Sequence, residues 1–434
     1  MIESFEQALA WLAKLQHFGI KLGLEQTRTL CDLCGAPDRG LHFIHLAGTN
    51  GKGSTGAMLE RALRAQNLTT GFYSSPHLIS ACERFRINGR GVCCEEFTRA
   101  ADVVAKAVET MQQQGASPTY FEATTAMALL IFSWHQCDYV VWETGMGGRL
   151  DSTNIVTPEV SIITNIALDH EKYLGSTLAE IAAEKAGIIK PAVPVVCGSM
   201  ASEALEVIKA RAMQLNAPVI EAEKFSPLHE RIQPQTVLGF QQFSCGGDIV
   251  ELQLNGVMQQ RNTQIAVSAL KVLQKWNSVA LEALKQVRWP GRMALIGNGR
   301  FLLDGGHNPD GLSALCETLR TLYPGRKFKW VFGAFADKDY AGGLKLIAPL
   351  AESLDAAAFA EGSRLSAAPE DICCKAKELN IKNTACIKDL AAYLNQAMQE
   401  KANPDDLPTV IAGSLYLAGE VLSVIETPES VLNL

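Results

Sequence analysis

The chain has 434 residues and a formal net charge of −7 at pH 7, with 47% hydrophobic and 20% charged residues. This composition is typical of a soluble globular protein, and the length is sufficient for two or three domains. The negative charge argues against broad binding to nucleic acid or to anionic membranes, because both need a basic face. A few local Lys and Arg residues still allow an anionic small-molecule substrate.

The first residues carry acids where a secretory signal would carry positive charge, and no stretch approaches the roughly 20 apolar residues of a membrane span. We therefore expect a cytoplasmic location. The twelve cysteines are scattered along the chain. Cys31 and Cys34 have a metal-like spacing, but no second pair follows at the distance of a zinc site. The cysteines are predicted to be reduced and structural.

Short β-rich runs alternate with helical segments, which predicts a parallel α/β fold. A buried strand over 41–48 enters a glycine loop, and a helix is predicted over 54–66. The next predicted strands are TGFYSS, YVVWETG, VSIITNIA and VPVVCG, with helices over 95–114, 122–136 and 178–189.

Between about 220 and 260 the pattern changes to one that favours a β-meander. WPGR (289–292) is the best candidate linker, since Pro and Gly together interrupt regular structure. We therefore predict two domains, 1–288 and 289–434. The second starts a new α/β series with strands RFLLDGG, KWVFGAF, AAAFAEG and TVIAGS, and helices at GLSALCETLRTLY and over 341–354, 369–379, 388–401 and 415–425.

The segment AGTNGKGST (47–55) lies between the first clear strand and the first long helix. Backbone N–H groups at such a turn can face a phosphate, and Lys52 can reach the outer phosphates. Gly53 occupies the position where the usual phosphate-loop pattern has its magnesium-binding hydroxyl. That hydroxyl must come from Ser54 or from another strand, for which the segment 73–77 is a candidate. The Ser-Ser-Pro in that segment is equally compatible with a strand-ending turn.

Polar residues follow several predicted strands. Glu143 ends an apolar strand near the phosphate loop, a suitable place to hold magnesium, although an acid there can also cap a turn. Asp151 is a polar contact in the glycine-rich loop that follows. Asp169 and His170 stand at another strand tip, where the histidine is either a ligand or structural. Composition alone predicts Lys185 to be a solvated surface lysine. Together these patterns indicate that ATP and magnesium are used to activate a carboxylate.

Ten motifs in chain order resemble the folylpolyglutamate synthase and dihydrofolate synthase branch of the Mur ligase superfamily. They are AGTNGKGST, YSSPHL with ERFRING, FEATTAMAL, ETGMGGRLDSTNIV, TNIALDH, IAAEKAGIIK, WPGRM, LLDGGHNPDG, GAFADKD and IAGSLYLAGE. The resemblance implies an α/β fold with a P-loop central domain and a smaller β-meander, followed by a Rossmann-like glutamate ligase domain. It also implies that ATP phosphorylates a carboxylate, and that the amine of L-glutamate displaces the phosphate to form an amide.

The resemblance implies a role for individual residues of this chain. The residues implied in ATP binding are Thr49, Asn50, Gly51, Lys52, Gly53, Ser54, Asn262, Arg292 and Asp304. Two magnesium sites would involve Ser75, Glu143, His170 and a carbamylated Lys185. Dihydropteroate or folate would contact Lys21, Leu22, Thr119, Tyr120, Phe121, Leu150, Asp151 and Ser152, with His307 and Ser414 near the incoming glutamate. The chemical step would depend on Lys52, Glu143, His170, Lys185 and His307.

The chain departs from the family pattern in two places. Met258 and Gln259 stand where the adenine motif usually has His-Gln, and Lys21 stands where bifunctional bacterial members have aspartate. The leading interpretation is a bifunctional, monomeric enzyme that glutamylates dihydropteroate and reduced folates. The alternatives are a folylpolyglutamate synthase alone and a non-catalytic nucleotide-binding protein of the same fold. A cell-wall Mur ligase is disfavoured because its substrate would normally require a further N-terminal domain.

Overall fold

The computed structural model describes residues 1–16, 23–229, 238–361, 364–400 and 406–434. Eight strands form the first sheet: β1 (Phe43–Ala47), β2 (Thr70–Tyr73), β3 (Phe85–Ile87), β4 (Arg90–Gly91), β5 (Tyr139–Glu143), β6 (Val160–Ile163), β7 (Val195–Cys197) and β8 (Val219–Glu221). Their order is β4-β3-β2-β5-β1-β6-β7-β8. Strand β3 pairs antiparallel with both of its neighbours, β2 and β4, and all other pairs in this sheet are parallel.

Helices cover both faces of this sheet, as a parallel sheet requires. They are α1 (Phe5–Gln16), α2 (Glu25–Leu33), α3 (Lys52–Arg64), α4 (Cys94–Gln113), α5 (Tyr120–Trp134), α6 (Glu171–Leu174), α7 (Leu178–Ala186), α8 (Ser202–Gln214), α9 (Ala222–Phe225), α10 (Val257–Val272) and α11 (Ser278–Leu284). All five residues of β1 are buried, which explains its almost continuous apolar run. The core on one face is built with α1, α4 and α5, and the core on the other with α3 and α10. Two 3-10 helices, Ala81–Arg84 and Ser152–Ile155, stand in the loops.

The segment predicted to be a β-meander contains a three-stranded antiparallel sheet. It consists of β9 (Leu228–His229), β10 (Gln241–Cys245) and β11 (Asp248–Leu252) in the order β11-β10-β9. Buried residues alternate along β10, so that one face packs against the core shared with α10. This alternation is the expected signature of a sheet with one solvated face.

The second half forms its own sheet. Its strands are β12 (Ala294–Ile296), β13 (Phe301–Leu303), β14 (Phe328–Phe332), β15 (Ala351–Ala357), the short pair β16 (Ala360–Glu361) and β17 (Arg364–Leu365), β18 (Asn383–Ile387) and β19 (Thr409–Ala412). The six-stranded sheet runs β12-β13-β19-β14-β15-β18, with only β12 antiparallel to its neighbour. Its helices are α12 (Pro309–Leu322), α13 (Tyr340–Ile347), α14 (Pro369–Glu378), α15 (Leu390–Gln399), α16 (Leu415–Ile425) and α17 (Pro428–Leu432).

The predicted helix over 341–354 is wrong in its second half. Helix α13 ends at Ile347, a 3-10 turn covers Ala348–Leu350, and β15 begins at Ala351. Pro349 supplies the physical reason, because it has no N–H to continue the helix and disfavours the helical conformation of the residue before it. The following residues then pair with β14 and β18.

The two sheets fall on either side of the proposed linker, and the domain boundary near residue 288 stays a prediction. The end of the second half returns to the first half. Residues 428–434, which we call the strap, lie against the first sheet. Arg86 of β3 donates through Nη1 and Nη2 to the carbonyl oxygens of Leu432 and Val431, at 2.9 and 2.8 Å. The backbone N–H of Leu434 donates to the carbonyl oxygen of Gly89 at 3.0 Å. The strap therefore ties the second half to the first.

Within the described ranges, every helix is too short or too polar to cross a membrane.

Candidate active site

The phosphate loop connects β1 to the first turn of α3. Gly48 has a φ of +154°, and a Cβ at this position would lie 1.8 Å from Thr164 Oγ1. Gly51 precedes α3 in the left-handed region, with a φ of +88°. The Nζ of Lys52 donates to the carbonyl oxygens of Gly48 at 2.9 Å and Thr49 at 3.4 Å. The loop thus combines a helix N-terminus with a folded-back cation, an arrangement suited to an anion.

Asn50 joins this loop to both halves of the chain. Its backbone N–H donates to Asn165 Oδ1 at 2.7 Å, beyond the end of β6. Its side-chain amide donates to Asp310 Oδ2 at 2.7 Å, in the first turn of α12. The position of the loop therefore depends on the packing of the second half against the first.

A cavity of about 140 Å³ lies in front of the phosphate loop. It collects residues that the sequence analysis placed on separate strands and loops. The predicted site residues that line it are Thr49, Asn50, Gly51, Lys52, Gly53, Ser75, Glu143, His170, Lys185, Arg292 and His307. Because the carboxyl ends of β1, β2, β5 and β6 meet at one edge of the sheet, residues far apart in sequence come together here.

Glu143 is a buried carboxyl group at the end of β5. Its Oε1 lies 3.9 Å from Lys52 Nζ. Burial raises the pKa of Glu143 to about 7, against the opposing charges of Lys52 and Arg292 and a hydrogen bond from the backbone of Ser75. A cation in the cavity would stabilise the ionised carboxylate. Glu143 is therefore a suitable metal ligand.

Lys185 on α7 is 3% exposed, so the expectation of a solvated surface lysine is wrong. Burial lowers its pKa to about 7, and the nearby charge of Lys52 acts in the same direction. The physical reason is packing: a Cβ on Gly148 would lie 2.9 Å from the Lys185 carbonyl oxygen, so the glycine loop after Glu143 lies directly on α7. Such a lysine is partly neutral, and hence nucleophilic, near neutral pH.

Asp169 connects the two halves beside the cavity. Its carboxylate accepts hydrogen bonds from Lys338 Nζ at 2.7 Å and Asn308 Nδ2 at 3.0 Å, and His307 Nε2 lies 3.7 Å away. Burial raises the pKa of Asp169, but the nearby His307 ring, the charge of His170 and the hydrogen bond from Lys338 hold it well below its usual range. Asp169 was predicted only as a neighbour of His170, and Lys338 was given no role. Both lie in motifs of the family resemblance, TNIALDH and GAFADKD, which could have indicated that they belong to the site.

His170 immediately precedes α6 and has the left-handed conformation, with a φ of +52°. Burial lowers its pKa to about 4, although Asp169 opposes the shift. The ring is therefore neutral at physiological pH, the form in which histidine binds a metal.

Residues of the second half close the other side of the cavity. A Cβ on Gly305 would lie 2.7 Å from Arg292 Nη1, which places the guanidinium against the loop after β13. His307, in the same loop, holds its Nδ1 3.1 Å from the carbonyl oxygen of Gly305. Asp304 is buried, and its two carboxylate oxygens accept the backbone N–H groups of Met293 at 3.0 Å and Gly306 at 2.8 Å. In this structure Asp304 organises the loops that carry Arg292 and His307.

Three residues implied in ATP binding do not line the cavity: Asp304, and Ser54 and Asn262, which lie behind the loop. Ser54 Oγ accepts from Gln259 Nε2 at 3.3 Å, and Asn262 Nδ2 donates to Gln259 Oε1 at 3.0 Å. A Cβ on Gly51 would lie 2.5 Å from Asn262 Oδ1. Asn262 therefore packs against the loop itself. Ser54 is turned toward α10, so that of these two serines only Ser75 lines the cavity.

A second and larger cavity, of about 900 Å³, adjoins the first. The predicted substrate residues that line it are Thr119, Tyr120, Phe121, Leu150, Asp151, Ser152, His307 and Ser414. Lys21 and Leu22 lie outside the described residues. The apolar wall that α1 supplies through Phe5, Leu9 and Leu12 was not among the predicted site residues. Only the helical spacing of these residues could have indicated that α1 has a buried face.

His77 and Arg84 add a polar patch to this larger cavity. Arg84 Nε donates to His77 Nδ1 at 2.9 Å, and the guanidinium lies 5.5 Å from the centroid of the Tyr120 ring. Burial and the charge of Arg84 lower the pKa of His77 to about 3, so this ring stays neutral.

The two cavities share Ser75, His170, His307 and the glycine loop 145–147 as a common wall. A phosphate in the smaller cavity can therefore face an acceptor group held in the larger one. This arrangement is suited to phosphoryl transfer to an amphipathic acceptor, with cations on either side of the transferred group.

Comparison with known families identifies two consecutive segments. Residues 46–270 match the family described as Mur ligase middle domain, and residues 291–415 match the family described as Mur ligase, glutamate ligase domain. A dihydrofolate synthase/folylpolyglutamate synthase of Bacillus subtilis is 36% identical over 377 residues, which cover 83% of this chain and 86% of that protein. The protein of the same name from Escherichia coli is 29% identical over 97% of this chain and 96% of its own length.

Solved structures agree with these sequence matches. Mycobacterium tuberculosis folylpolyglutamate synthase complexed with ADP and AMPPCP superposes with a TM-score of 0.86 at 30% identity, covering 96% of this chain and 98% of that one. Escherichia coli FolC in complex with DHPP and ADP gives a TM-score of 0.82 at 27% identity, covering 97% of each chain. The chain belongs to the dihydrofolate synthase/folylpolyglutamate synthase family of Mur ligases, whose members are ATP-dependent folate glutamate ligases.

Proposed function

We propose that this chain uses ATP to join L-glutamate to dihydropteroate, forming dihydrofolate, and to the γ-carboxylate of reduced folates. The observation that carries the proposal is the wall shared by the two cavities, which brings the phosphate loop to one end of a large acceptor site. The acceptor carboxylate attacks the γ-phosphorus and ADP leaves. The amine of glutamate then attacks the acyl carbon, and phosphate leaves as the amide forms and the amine loses a proton.

The phosphate loop and the residues opposite it have distinct roles in this proposal. Lys52 and the loop N–H groups hold the β- and γ-phosphates, and Arg292 faces the charge that develops on the transferred group. His307 and Ser414 lie where the incoming glutamate must approach the acyl phosphate. Lys338 and Asp169 hold His307 and the phosphate loop in one closed arrangement.

The cavity fits magnesium, which prefers oxygen ligands and keeps several waters and phosphate oxygens in its shell. The described residues contain no group of three or more His, Cys, Asp or Glu side chains that could hold a metal ion by themselves. Ser75 and Glu143 would hold one ion, while His170 and a carbamylated Lys185 would hold a second. When bound, magnesium reduces the repulsion between the two anions that must meet.

Carbamylation of Lys185 is supported by its burial and its lowered pKa. The neutral amine attacks the carbon of CO₂, a new N–C bond forms, and the nitrogen loses one proton. The product is an anionic carbamate in place of an ammonium group. Lys185→Ala should lose most turnover and keep ATP binding, with partial rescue by added acetate or formate. Full activity of this variant would refute the carbamate.

The direct test of the function is ADP release by the purified protein with ATP, magnesium and L-glutamate. Dihydropteroate and tetrahydrofolate are compared as acceptors, and omission of glutamate is the control. Release with both acceptors supports the bifunctional enzyme. Release with tetrahydrofolate alone supports the folylpolyglutamate synthase activity only, and Lys21→Asp then tests whether that position excludes dihydropteroate. Nucleotide binding without release would support a non-catalytic protein.

We also propose a division into two domains, a monomeric state and a cytoplasmic location. Residues 1–288 would form the ATP-binding domain and 289–434 the glutamate ligase domain. The protein is proposed to act as a monomer in the cytoplasm.

A further inference from the structure

His45 is a buried titratable residue that the proposed chemistry does not use. It lies in the middle of β1, the strand that leads to the phosphate loop, and its exposed fraction is zero. Its Nε2 lies 2.9 Å from Thr153 Oγ1. Thr153 Oγ1 in turn lies 2.5 Å from Asp151 Oδ1. A continuous chain of three side chains therefore leads from the core of the sheet to the wall of the larger cavity.

The hydrogen bonds that join His45, Thr153 and Asp151 all point the same way, toward the Asp151 carboxylate. The Asp151 carboxylate accepts backbone N–H groups on both oxygens, from Thr153 at 3.0 Å and from Met146 at 2.8 Å. The Thr153 hydroxyl must then donate to Asp151 and accept from His45 Nε2–H. The other ring nitrogen, Nδ1, has no partner in the part of the chain that the structure describes. Burial and the charge of Lys190 lower the pKa of His45 to about 3, so the ring is neutral and carries its proton on Nε2.

Thr153 is held firmly at the centre of the chain. It is completely buried, and its carbonyl oxygen accepts Trp142 Nε1–H at 2.8 Å. The tryptophan belongs to β5, next to β1 in the sheet. The hydroxyl of Thr153 is therefore fixed relative to two central strands, and it transmits their position to Asp151.

Asp151 organises the glycine loop 145–149 through the Met146 N–H. This loop packs on both sides of the site. A Cβ on Gly145 would lie 2.4 Å from Phe121 Cζ in the acceptor cavity, and one on Gly148 would lie 2.8 Å from the Glu184 carbonyl oxygen on α7, beside Lys185. A shift of the loop would therefore move the acceptor wall and the lysine together.

We propose that His45 is a positioning residue, and that the chain His45–Thr153–Asp151 holds the glycine loop 145–149 in register between the acceptor cavity and α7. In this proposal Asp151 holds the backbone of the glycine loop in place, in addition to contacting the acceptor. The effect on turnover rests on the proposed function, whereas the effect on the loop does not.

Hydrogen–deuterium exchange of the ligand-free protein tests the positioning directly. In His45→Leu the amides of Met146 and Thr153 should exchange about tenfold faster or more, since the buried Thr153 hydroxyl loses its donor. His45→Gln should restore protection, because its amide can donate from about the position of Nε2. Ser161→Ala is the matched control: Ser161 lies opposite His45 on β6, but its hydroxyl donates to the carbonyl oxygen of Ile188 at 3.1 Å.

Thr153→Val is the second variant, with nearly unchanged volume, and it should expose the Met146 amide as His45→Leu does. Unchanged protection in both variants, or equal loss in Ser161→Ala, would overturn the proposal. In the active enzyme, His45→Leu should raise the KM for the acceptor more than that for ATP, and His45→Gln should reverse this. Equal changes in both KM values would refute the link to the acceptor cavity. If the parent protein shows no turnover, the proposed function is refuted. The hydrogen–deuterium exchange experiment would still decide whether His45 positions the glycine loop, because it does not depend on turnover.

Discussion

Glu143 and Lys185 carry opposite charges in water, and burial moves their pKa values to about the same point. The pKa of Glu143 rises to about 7 and that of Lys185 falls to about 7, in each case mainly because the charged form is desolvated. Without metal, both groups are therefore only partly ionised near pH 7. Binding of a cation or of CO₂ therefore changes the charge of this cavity far more than it would on the protein surface.

Lys185 gives a prediction of pH dependence in the metal-free, CO₂-depleted protein. Between its folded pKa of about 7 and the ordinary value of 10.5, the unfolded chain binds a proton that the folded chain releases. The free energy of unfolding is therefore reduced progressively as pH falls from 10.5 toward 7. Lys185→Met removes this penalty, which is on the order of a few kcal/mol.

The melting temperature of Lys185→Met should exceed that of the parent at pH 7, and the difference should shrink by pH 10. Lys209→Met is the control, because Lys209 is partly exposed and paired with Glu221 at 3.3 Å. An equal gain at both pH values would contradict the depressed pKa.

At the residue scale, the sequence predicts what is local and misses what depends on packing. Lys52 is predictable because strand, glycine loop and helix are consecutive. The burial of Lys185 is not predictable from the sequence, since it requires the glycine loop 145–149 to pack on α7. Asp169 and Lys338 are 169 residues apart, and only the folded chain brings Lys338 Nζ within 2.7 Å of the carboxylate.

At the scale of elements, the alternation of strands and helices predicts most of the first sheet and its covering helices. The errors lie where tertiary pairing overrides a helical pattern, as at β15, or where a strand is short, as at β12. The helix α5 begins at a capping box in which Thr119 Oγ1 and the backbone N–H of Glu122 pair at 3.3 Å. The capping box fixes the start of the helix and thereby the positions of Tyr120 and Phe121.

Gly145→Ala tests how closely the glycine loop approaches α5. The new methyl group would meet the Phe121 ring at 2.4 Å, so the ring must move within the acceptor cavity. We expect the KM for the folate acceptor to rise about tenfold, while ATP affinity stays within about twofold. Steady-state kinetics with each substrate varied would measure this. A Phe121→Leu background provides the control, because the smaller side chain should relieve the clash; failure of that relief would contradict the explanation.

At the scale of the whole molecule, the ion pair between Asp169 and Lys338 joins the halves. Asp169→Asn and Lys338→Met should each lower kcat about tenfold or more, because each leaves a buried group without its partner. The double variant should lose far less than the product of the two effects, which a double-mutant cycle would detect. The pair of Asp102 and the exposed Lys106 on α4, at 2.6 Å, is the control and should leave kcat unchanged. Independent effects at Asp169 and Lys338 would refute the coupling.

The strap gives a second prediction at this scale. Arg86 is 3% exposed, and its removal leaves the Val431 and Leu432 carbonyl oxygens without their donor. Arg86→Met should cost on the order of 2 kcal/mol of stability and make residues 426–434 sensitive to limited proteolysis. Arg90→Met, at an exposed position of the adjacent strand, should show neither effect. Equal protease resistance of Arg86→Met and the parent would contradict the role of the strap.

The strap also determines the order in which the molecule can be completed during its synthesis. Val431 follows Arg86 by 345 residues, so the ribosome has made the whole first half long before the carbonyl partner of this arginine exists. Until then, Arg86 lacks the two carbonyl acceptors that it has in the folded protein. The nascent first half should therefore reach its final stability only when residues 428–434 have left the ribosome, which makes the codons of the strap part of the folding of the first half.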